Sequence, residues 1–291
     1  MDKKNKTKKR RSQTGEVLHR FRKNTGAMIG LGFILILSIL ALLGNVIYDY
    51  ETDIIGQNYE QRFVKPCWEH PFGTDNLGRD LFARVIYGAR ASLPVGFLAV
   101  IVSLLFGLVF GAIAGFYGGA IDNVIMRVMD IFNTIPTILM AIVMVAVMGT
   151  STMSLILAVG ITSVPKFARI TRASVLTVRG QEFVESARAI GLTTPEIIFQ
   201  HVVPNCLSPI IVQTTLQMGK AIITASSMSY LNLGVPAPMP EWGSLLSAGR
   251  NYIRDYGYLT IFPGLMIMVT VIAFNMVGDG LRDAMDPKLK K

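Results

Sequence analysis

The chain is poor in charged residues. Only 16% of its 291 residues are Asp, Glu, Lys or Arg, whereas soluble domains carry about 25%. Hydrophobic residues make up 51% of the sequence. This composition excludes a soluble globular domain and indicates an integral membrane protein, which must cross the bilayer as helices or as a closed barrel. The long apolar runs do not alternate strictly with polar residues, so the sequence predicts helices.

The side chains that perform chemistry are also scarce. The three histidines, His19, His70 and His201, lie far apart and have neither the spacing of metal ligands nor that of a catalytic triad. The phosphate-binding pattern Gly-x-x-x-x-Gly-Lys-Ser/Thr is absent, because Gly219-Lys220 lacks the upstream glycine and the following hydroxyl. We therefore expect no catalytic residue, no metal site and no cofactor on this chain.

Six apolar segments are long enough to be membrane spans, each of which needs about 20 residues. We predict spans at residues 26–48, 93–117, 124–148, 152–175, 207–233 and 259–281. Pro136 is expected to kink the third span. The apolar part of the fourth ends near Pro165, and the basic residues that follow, Lys166, Arg169 and Arg172, are expected to carry its helix into the cytoplasm.

The distribution of charge orients these spans. Ten Lys and Arg residues precede the first span, against only Asp2 and Glu16, and cytoplasmic segments carry such an excess. Both termini are therefore expected in the cytoplasm. Most of the net charge of +9 lies in this tail, which favours contact with lipid head groups over nucleic acid. Cys67 would lie outside and Cys206 at the cytoplasmic face, so no disulfide is expected within the chain.

A polar stretch at residues 182–209 interrupts the apolar sequence. We expect a short helix that ends at Gly191, because glycine most readily adopts the left-handed conformation after a helix. Thr193 to Glu196 then fits a capping box that starts a second helical stretch, which is expected to run until Pro204. Two short helices between membrane spans would make a compact lever that passes force to a partner.

This stretch resembles the coupling loop of ABC importer permeases, whose pattern is Glu-Ala-Ala, three residues, Gly, nine residues, then Ile-x-Leu-Pro. The residues that match the pattern are Glu185, Ala187, Gly191 and Pro204. Those that depart from it are Ser186, His201 and Val203. The alternative is an amphipathic helix on the membrane surface, which would not call for Gly and Pro at fixed offsets.

The segment at residues 50–92 carries a second motif. Residues 70–80 read His-Pro-Phe-Gly-Thr-Asp-Asn-Leu-Gly-Arg-Asp, and this run resembles a signature of the C-type subunit of dipeptide, oligopeptide and nickel importers. We expect the Thr74 and Asp75 side chains to bond backbone N–H groups of a turn, and Asp80 to pair with Arg84 on a helix. A metal site is the alternative, but the carboxylates lack the ligand spacing of a calcium loop.

The fifth span has one polar face. The face consists of Gln213 and the residues that follow it by 4, 7, 11 and 14 positions, which are Gln217, Lys220, Thr224 and Ser227. Such a face would be costly against lipid, so we expect it to line a water-filled path, with packing against a partner helix as the alternative. Lys220 could contact an anionic group on a substrate or neutralise an acidic residue of a paired subunit.

Two further patterns concern helix packing. Gly107, Gly111 and Gly115 recur every four residues along the second span and would let another helix approach closely. Arg127 and Asp130 are spaced to neutralise each other near the start of the third span.

The resemblance covers nearly everything from residue 26 onward and implies an all-α, six-span permease of the ABC importer type. Its segments would be a basic cytoplasmic tail (1–25), a first span with an extracytoplasmic segment (26–92), a core (93–281) with the coupling loop at 182–206, and a short cytoplasmic tail (282–291). The implied partners are a related permease subunit, two cytoplasmic ATPases that would hold ATP and Mg²⁺, and an extracytoplasmic binding protein. Arg188 could contact the ATPase surface.

The resemblance leaves the substrate open. Short peptides are the commonest substrates of the family, and nickel or a metal chelate is the alternative. Family members often carry an acidic residue near the end of the fifth span, where this chain has Ala225, so contacts with substrate do not transfer. Alternatives of another class are a secondary transporter that works alone, and a membrane scaffold that binds an ATPase without transporting a solute.

Overall fold

The computed structural model describes residues 13–286, so that the first twelve residues of the basic tail and the last five residues of the chain lie outside the described part. The described chain is a bundle of helices. Their bounds are α1 Gln13–Lys23, α2 Thr25–Ile47, α3 Leu81–Tyr117, α4 Gly119–Thr134, α5 Thr137–Met148, α6 Thr152–Val178, α7 Glu182–Ala189, α8 Thr194–Glu196, α9 Val203–Asn205, α10 Leu207–Tyr230, α11 Trp242–Gly249 and α12 Tyr258–Met285. Short π-helical turns cover Tyr50–Ile54 and Ile197–Val202, and 3₁₀ turns cover Tyr59–Gln61 and Arg250–Tyr252.

Helices occur at all six predicted spans. Four of them, α2, α3, α6 and α12, are long and apolar enough to cross a membrane, and α4 with α5 makes a fifth if the bent pair counts as one span. Helix α10 is long enough, with 24 residues, but its polar face lowers its hydropathy. The count of six spans is compatible with this fold and stays a prediction.

The third predicted span is broken rather than kinked. Helices α4 and α5 meet at Pro136 with an angle of 91°, because proline cannot donate the backbone hydrogen bond that would continue α4. The expected pair of Arg127 and Asp130 is wrong. Asp130 instead accepts a hydrogen bond of 2.7 Å from Arg169 on α6.

A second ion pair joins the same two helices. The guanidinium of Arg172 on α6 donates from Nε and Nη2 to the two carboxylate oxygens of Asp122 on α4, at 2.5 and 2.6 Å. This two-pronged geometry is the strong form of the interaction. Helix α4 is therefore held to α6 by charge at two points and not only by apolar contact.

The glycine stripe of α3 does bring a neighbour close, as the spacing predicts. A Cβ built on Gly107 would lie 2.3 Å from the side chain of Phe167, and one built on Gly111 would lie 2.4 Å from the Ala168 carbonyl oxygen. Both contacts are with α6, so the absent side chains let α3 and α6 pack backbone against backbone. Any larger residue at these positions would separate the two helices.

Helix α3 begins twelve residues before the predicted start of the second span, and its first turn explains why. Asp80 caps the helix by accepting a hydrogen bond of 2.8 Å from the Ala83 N–H, and its other oxygen lies 2.7 Å from His70 Nδ1. The expected pair of Asp80 and Arg84 is therefore wrong. Capping points the Asp80 carboxylate at backbone N–H groups, away from the side chain of residue 84.

Asp75 is the partner of Arg84 instead, and it organises the whole motif at residues 70–80. One carboxylate oxygen accepts from the Leu77 and Arg79 N–H groups, at 2.8 and 3.0 Å. The other accepts from the side chains of Arg79 and Arg84, each at 2.8 Å. Thr74 also bonds backbone, accepting from the Val64 N–H at 2.8 Å. The prediction of a turn held by Thr74 and Asp75 is confirmed.

The loop before α11 docks on the same end of the bundle. Glu241 is buried and caps α11, while its carboxylate accepts from the hydroxyl of Ser92 on α3 at 3.1 Å. Trp242 is fully buried and donates from its indole N–H to the Val85 carbonyl at 2.9 Å. Gly88 faces its ring at close range. The Ser226 hydroxyl on α10 donates to the same Glu241 carboxylate at 3.4 Å, so these contacts join α3, α10 and α11 at one end of the bundle.

Candidate coupling and translocation site

The coupling segment, residues 182–206, lies at the opposite end of the bundle. Its two parts fold as the spacing predicts. Gly191 has φ of +87°, the left-handed conformation that favours glycine, and its N–H bonds the Arg188 carbonyl at 3.0 Å. Glu196 then accepts from the N–H and the hydroxyl of Thr193, both at 2.7 Å. These hydrogen bonds hold the pKa of Glu196 below its ordinary value.

The segment is anchored by a shared apolar cluster. Its own buried members are Val184, Ala187, Ile197, Ile198, Val202, Val203 and Cys206. They pack against Phe116 at the end of α3, Val178 at the end of α6, and Ile210 in the first turn of α10. One short segment therefore touches the ends of three long helices.

The sequence-predicted coupling residues divide between this anchor and the exposed face. Ala187 is buried in the cluster, whereas Glu185, Gly191 and Pro204 are exposed. Pro204 lies inside the last helical turn, α9, rather than ending the helix. Arg188 is exposed but also lies over the ring of Phe116, 5.3 Å from its centre, so it contributes to the anchor as well as to the surface.

Exposed apolar side chains accompany these residues. Ile190 is 77% exposed and Phe199 47% exposed, and both lie on the coupling segment between buried positions. Sequence reasoning missed them because exposure depends on what the segment packs against. With the exposed Glu185 and Arg188, they give the segment both apolar and charged side chains that are open to a partner.

The polar face of α10 is less uniform than its spacing suggests. Gln217 is buried and donates to the Ser163 hydroxyl on α6 at 3.0 Å, so it packs two helices together. Thr224 and Ser227 bond their own helix, donating to the Lys220 and Ile223 carbonyls at 2.9 and 2.8 Å. Gln213 is partly buried.

Lys220 is exposed, and Lys166 on α6 lies near it. Each lies three residues from the hydrogen-bonded pair of Ser163 and Gln217. Within residues 13–286, neither lysine has an acidic partner, so two positive charges in the long helices are left without compensation by the described chain.

No group of three or more His, Cys, Asp or Glu side chains in the described part of the chain could hold a metal ion. Asp75 and Asp80 in the motif at 70–80 are already engaged by Arg79, Arg84 and His70. Their carboxylates serve the fold of the loop.

Comparisons with known proteins agree with this architecture. Residues 107–291 match the model of the binding-protein-dependent transport system inner membrane component family. Residues 12–66 match the N-terminal TM domain of oligopeptide transport permease C. Among solved structures, a chain of the MetNI methionine ABC transporter in an inward-facing conformation matches with a TM-score of 0.57 and 17% identity, over 71% of this chain and 98% of that one. That likeness concerns the fold.

Curated relatives are much closer in sequence. The dipeptide transport system permease protein DppC of Alkalihalophilus pseudofirmus is 47% identical over 94% of this chain and 90% of its own length. DppC of Haemophilus influenzae is 39% identical over 93% of each chain. The glutathione transport system permease protein GsiD of Escherichia coli is 42% identical over 94% of this chain and 90% of its own length. The chain therefore belongs to the family of binding-protein-dependent transport system inner membrane components, the permease subunits of ABC importers.

Proposed function

We propose that this chain forms half of the translocation pathway of an ATP-driven importer of short peptides. The observation that carries the proposal is the coupling segment, seated by one apolar cluster on the ends of α3, α6 and α10. A related permease subunit supplies the other half, two cytoplasmic ATPases bind ATP and Mg²⁺, and an extracytoplasmic protein delivers the cargo. Relatives named for dipeptide and glutathione transport favour peptides over nickel.

The mechanism is alternating access driven through the coupling segment. Closure of the ATPases moves the exposed surface around Glu185, Arg188 and Ile190, and the buried side of the same segment passes that movement to the three helices. Because interiors are close-packed, they transmit such displacement rather than absorbing it. Gly191 and Pro204 set the shape of the segment, and α10 then presents its polar face to either side of the membrane in turn.

The proposal is tested by purifying the tagged chain from its native membranes in mild detergent. We expect a second permease and one or two ATPases with phosphate-binding loops to accompany it. Reconstituted with the binding protein, this complex should take up peptide only when ATP is supplied. A chain that comes out alone, yet moves solute into liposomes without ATP, would contradict the proposal and favour an independent secondary transporter.

We propose that Lys220 lines the translocation pathway. A charged side chain near the middle of a membrane helix costs about 3 kcal/mol against lipid, so Lys220 must face water, cargo or a partner subunit. We expect Lys220→Met to lower peptide uptake by about tenfold, roughly the 1.4 kcal/mol of one lost ionic contact. Lys220→Arg, which keeps the charge, should retain most of the uptake. Unchanged uptake and unchanged assembly in the Met variant would exclude Lys220 from the path.

The proposed topology has both termini in the cytoplasm, and the two cysteines test it. Cys67 is exposed and Cys206 is buried, and burial raises the pKa of Cys206 to about 11. Since the thiolate is the reactive form, the raised pKa and the burial of Cys206 slow its labelling at neutral pH on either side of the membrane. Only Cys67 therefore reports orientation. We expect a membrane-impermeant maleimide to label Cys67 in intact cells. Labelling only after lysis would mean that the chain has the opposite orientation in the membrane.

A further inference from the structure

A polar cavity of about 540 Å³ opens at the end of the bundle opposite the coupling segment. It lies between the start of α3, the end of α10 and the loop and helix that follow α10. Its size suits a small ligand. The polar side chains that line it include Arg79, Arg84 and Arg250, with Asn76, Asn232 and Ser229. We call it the arginine cavity.

The arginine cavity carries excess positive charge. Arg79 and Arg84 share a single carboxylate, that of Asp75, so these three groups sum to +1. Arg250 is exposed and has no acidic partner within the described chain, which brings the local sum to +2. None of the lining residues is Asp or Glu. The cavity therefore favours an anion.

Two buried polar atoms in its wall point the same way. Arg84 is 5% exposed and Ser229 is 2% exposed, yet Arg84 Nε and Ser229 Oγ have no hydrogen-bond partner within the described chain. Buried polar groups are nearly always bonded. Arg84 and Ser229 both line the arginine cavity, so its wall contains two donors that the described chain leaves unused, beside Arg79 and Arg250.

The cavity adjoins the proposed path. The guanidinium of Arg250 lies over the ring of Tyr230, 5.6 Å from its centre, and Tyr230 is the last residue of α10. Tyr230 lies one turn beyond Ser227, at the end of the helix that carries the polar face. A ligand held at Arg250 would therefore stand at the end of the path.

We propose that the arginine cavity binds the carboxylate of the peptide cargo as it enters the path. Arginine suits this role because its planar fork matches the two oxygens of a carboxylate. Arg250 makes the main contact, since Arg79 and Arg84 already donate to Asp75, and the asparagine side chains complete the hydrogen bonding. The inference rests on the proposed function only for its choice of a peptide as the anion.

The test measures binding of alanyl-alanine and of its C-terminal amide to the complete permease–ATPase complex in lipid nanodiscs, without the binding protein. Saturation-transfer NMR gives the affinity of these weak ligands. We expect Arg250→Gln to weaken alanyl-alanine about tenfold, the worth of one charge-assisted hydrogen-bonded contact. The amide should bind weakly to both forms. Arg254→Gln is the matched control, because Arg254 is exposed, four residues away and outside the cavity lining.

Two outcomes would overturn the inference. If Arg250→Gln binds alanyl-alanine as the unchanged complex does, the cavity does not hold the carboxylate. If Arg250→Gln instead loses a subunit during purification, the arginine faces an acidic group of a partner protein. Uptake measurements keep this separate from the proposed function. If the Arg250→Gln complex imports peptide with an unaltered KM, the result contradicts only the proposed role of the cavity. If the unchanged complex binds alanyl-alanine but imports no peptide, the result contradicts only the proposed function.

Discussion

Replacing Gly191 with proline is expected to abolish the stimulation of ATPase activity by substrate while leaving the protein in the membrane. Gly191 has φ of +87° and donates its N–H to the Arg188 carbonyl. Proline has no N–H and requires φ near −65°. It also favours extended ψ values at the preceding residue, whereas Ile190 has ψ of 2°. The turn between the two parts of the coupling segment would have to open.

The effect should fall on coupling rather than on folding. Nothing lies within 4 Å of a Cβ built on Gly191, and the cluster that anchors the segment contains neither Gly191 nor Ile190. We therefore expect normal amounts of assembled complex, with substrate-stimulated ATP hydrolysis reduced by tenfold or more, about 1.4 kcal/mol or more of lost coupling. The measurement is phosphate release by the reconstituted complex, with and without loaded binding protein.

Gly191→Ala is the control that keeps this prediction testable if the proline variant fails to assemble. Alanine keeps the N–H and meets no steric contact, so its cost is confined to the left-handed backbone, about 1–2 kcal/mol. It should assemble normally and show an intermediate loss of stimulation. Full stimulation in an assembled Gly191→Pro complex would mean that the shape of this turn does not matter for coupling, and that the lever hypothesis is wrong.

Replacing Asp75 with asparagine is expected to cause the largest loss of stability of any single change considered. The carboxylate is 8% exposed and accepts hydrogen bonds from two backbone N–H groups and two arginine side chains. Asparagine could keep the backbone contacts through its carbonyl oxygen. Its amide N–H₂ would then face the donors of Arg79 and Arg84, leaving the buried charge of Arg84 without an acceptor.

Breaking a buried ion pair in this way costs about 3–5 kcal/mol. For a chain of this size, that corresponds to a fall in the melting temperature on the order of 10 °C. The measurement is thermal unfolding of the purified complex in detergent, followed by loss of the monodisperse peak in size-exclusion chromatography. The expected fall is independent of substrate.

Asp49→Asn is the matched control for Asp75. Asp49 also accepts from two backbone N–H groups, those of Glu51 and Thr52, at 2.9 and 3.0 Å, but it has no arginine partner among the described residues. Asparagine caps a helical turn as well as aspartate does, so this variant should stay within about 0.5 kcal/mol of the unchanged protein. Equal melting temperatures for the two variants would show that Asp75 acts only as a cap.

The sequence by itself determined the features that depend on local spacing. Glycine can adopt the left-handed backbone wherever it lies, and a Thr and a Glu three residues apart can cap a helix without help from distant residues. Gly191, Thr193 and Glu196 were therefore predictable, as were the apolar helices and the close approach along Gly107 and Gly111. The motifs at 70–80 and 182–206 also identify the family by resemblance alone.

Only the tertiary structure decided which charges meet. Helical spacing predicts that Asp80 pairs with Arg84 and that Arg127 pairs with Asp130. In the structure Arg84 pairs with Asp75 instead, and Asp130 pairs with Arg169. The energy of an ion pair depends on distance in space, and neighbours along a helix compete with residues brought in by another element. The burial of Gln217, the proximity of Lys166 to Lys220 and the arginine cavity arise in the same way. Each joins residues from separate helices, whose contacts exist only once the helices have packed.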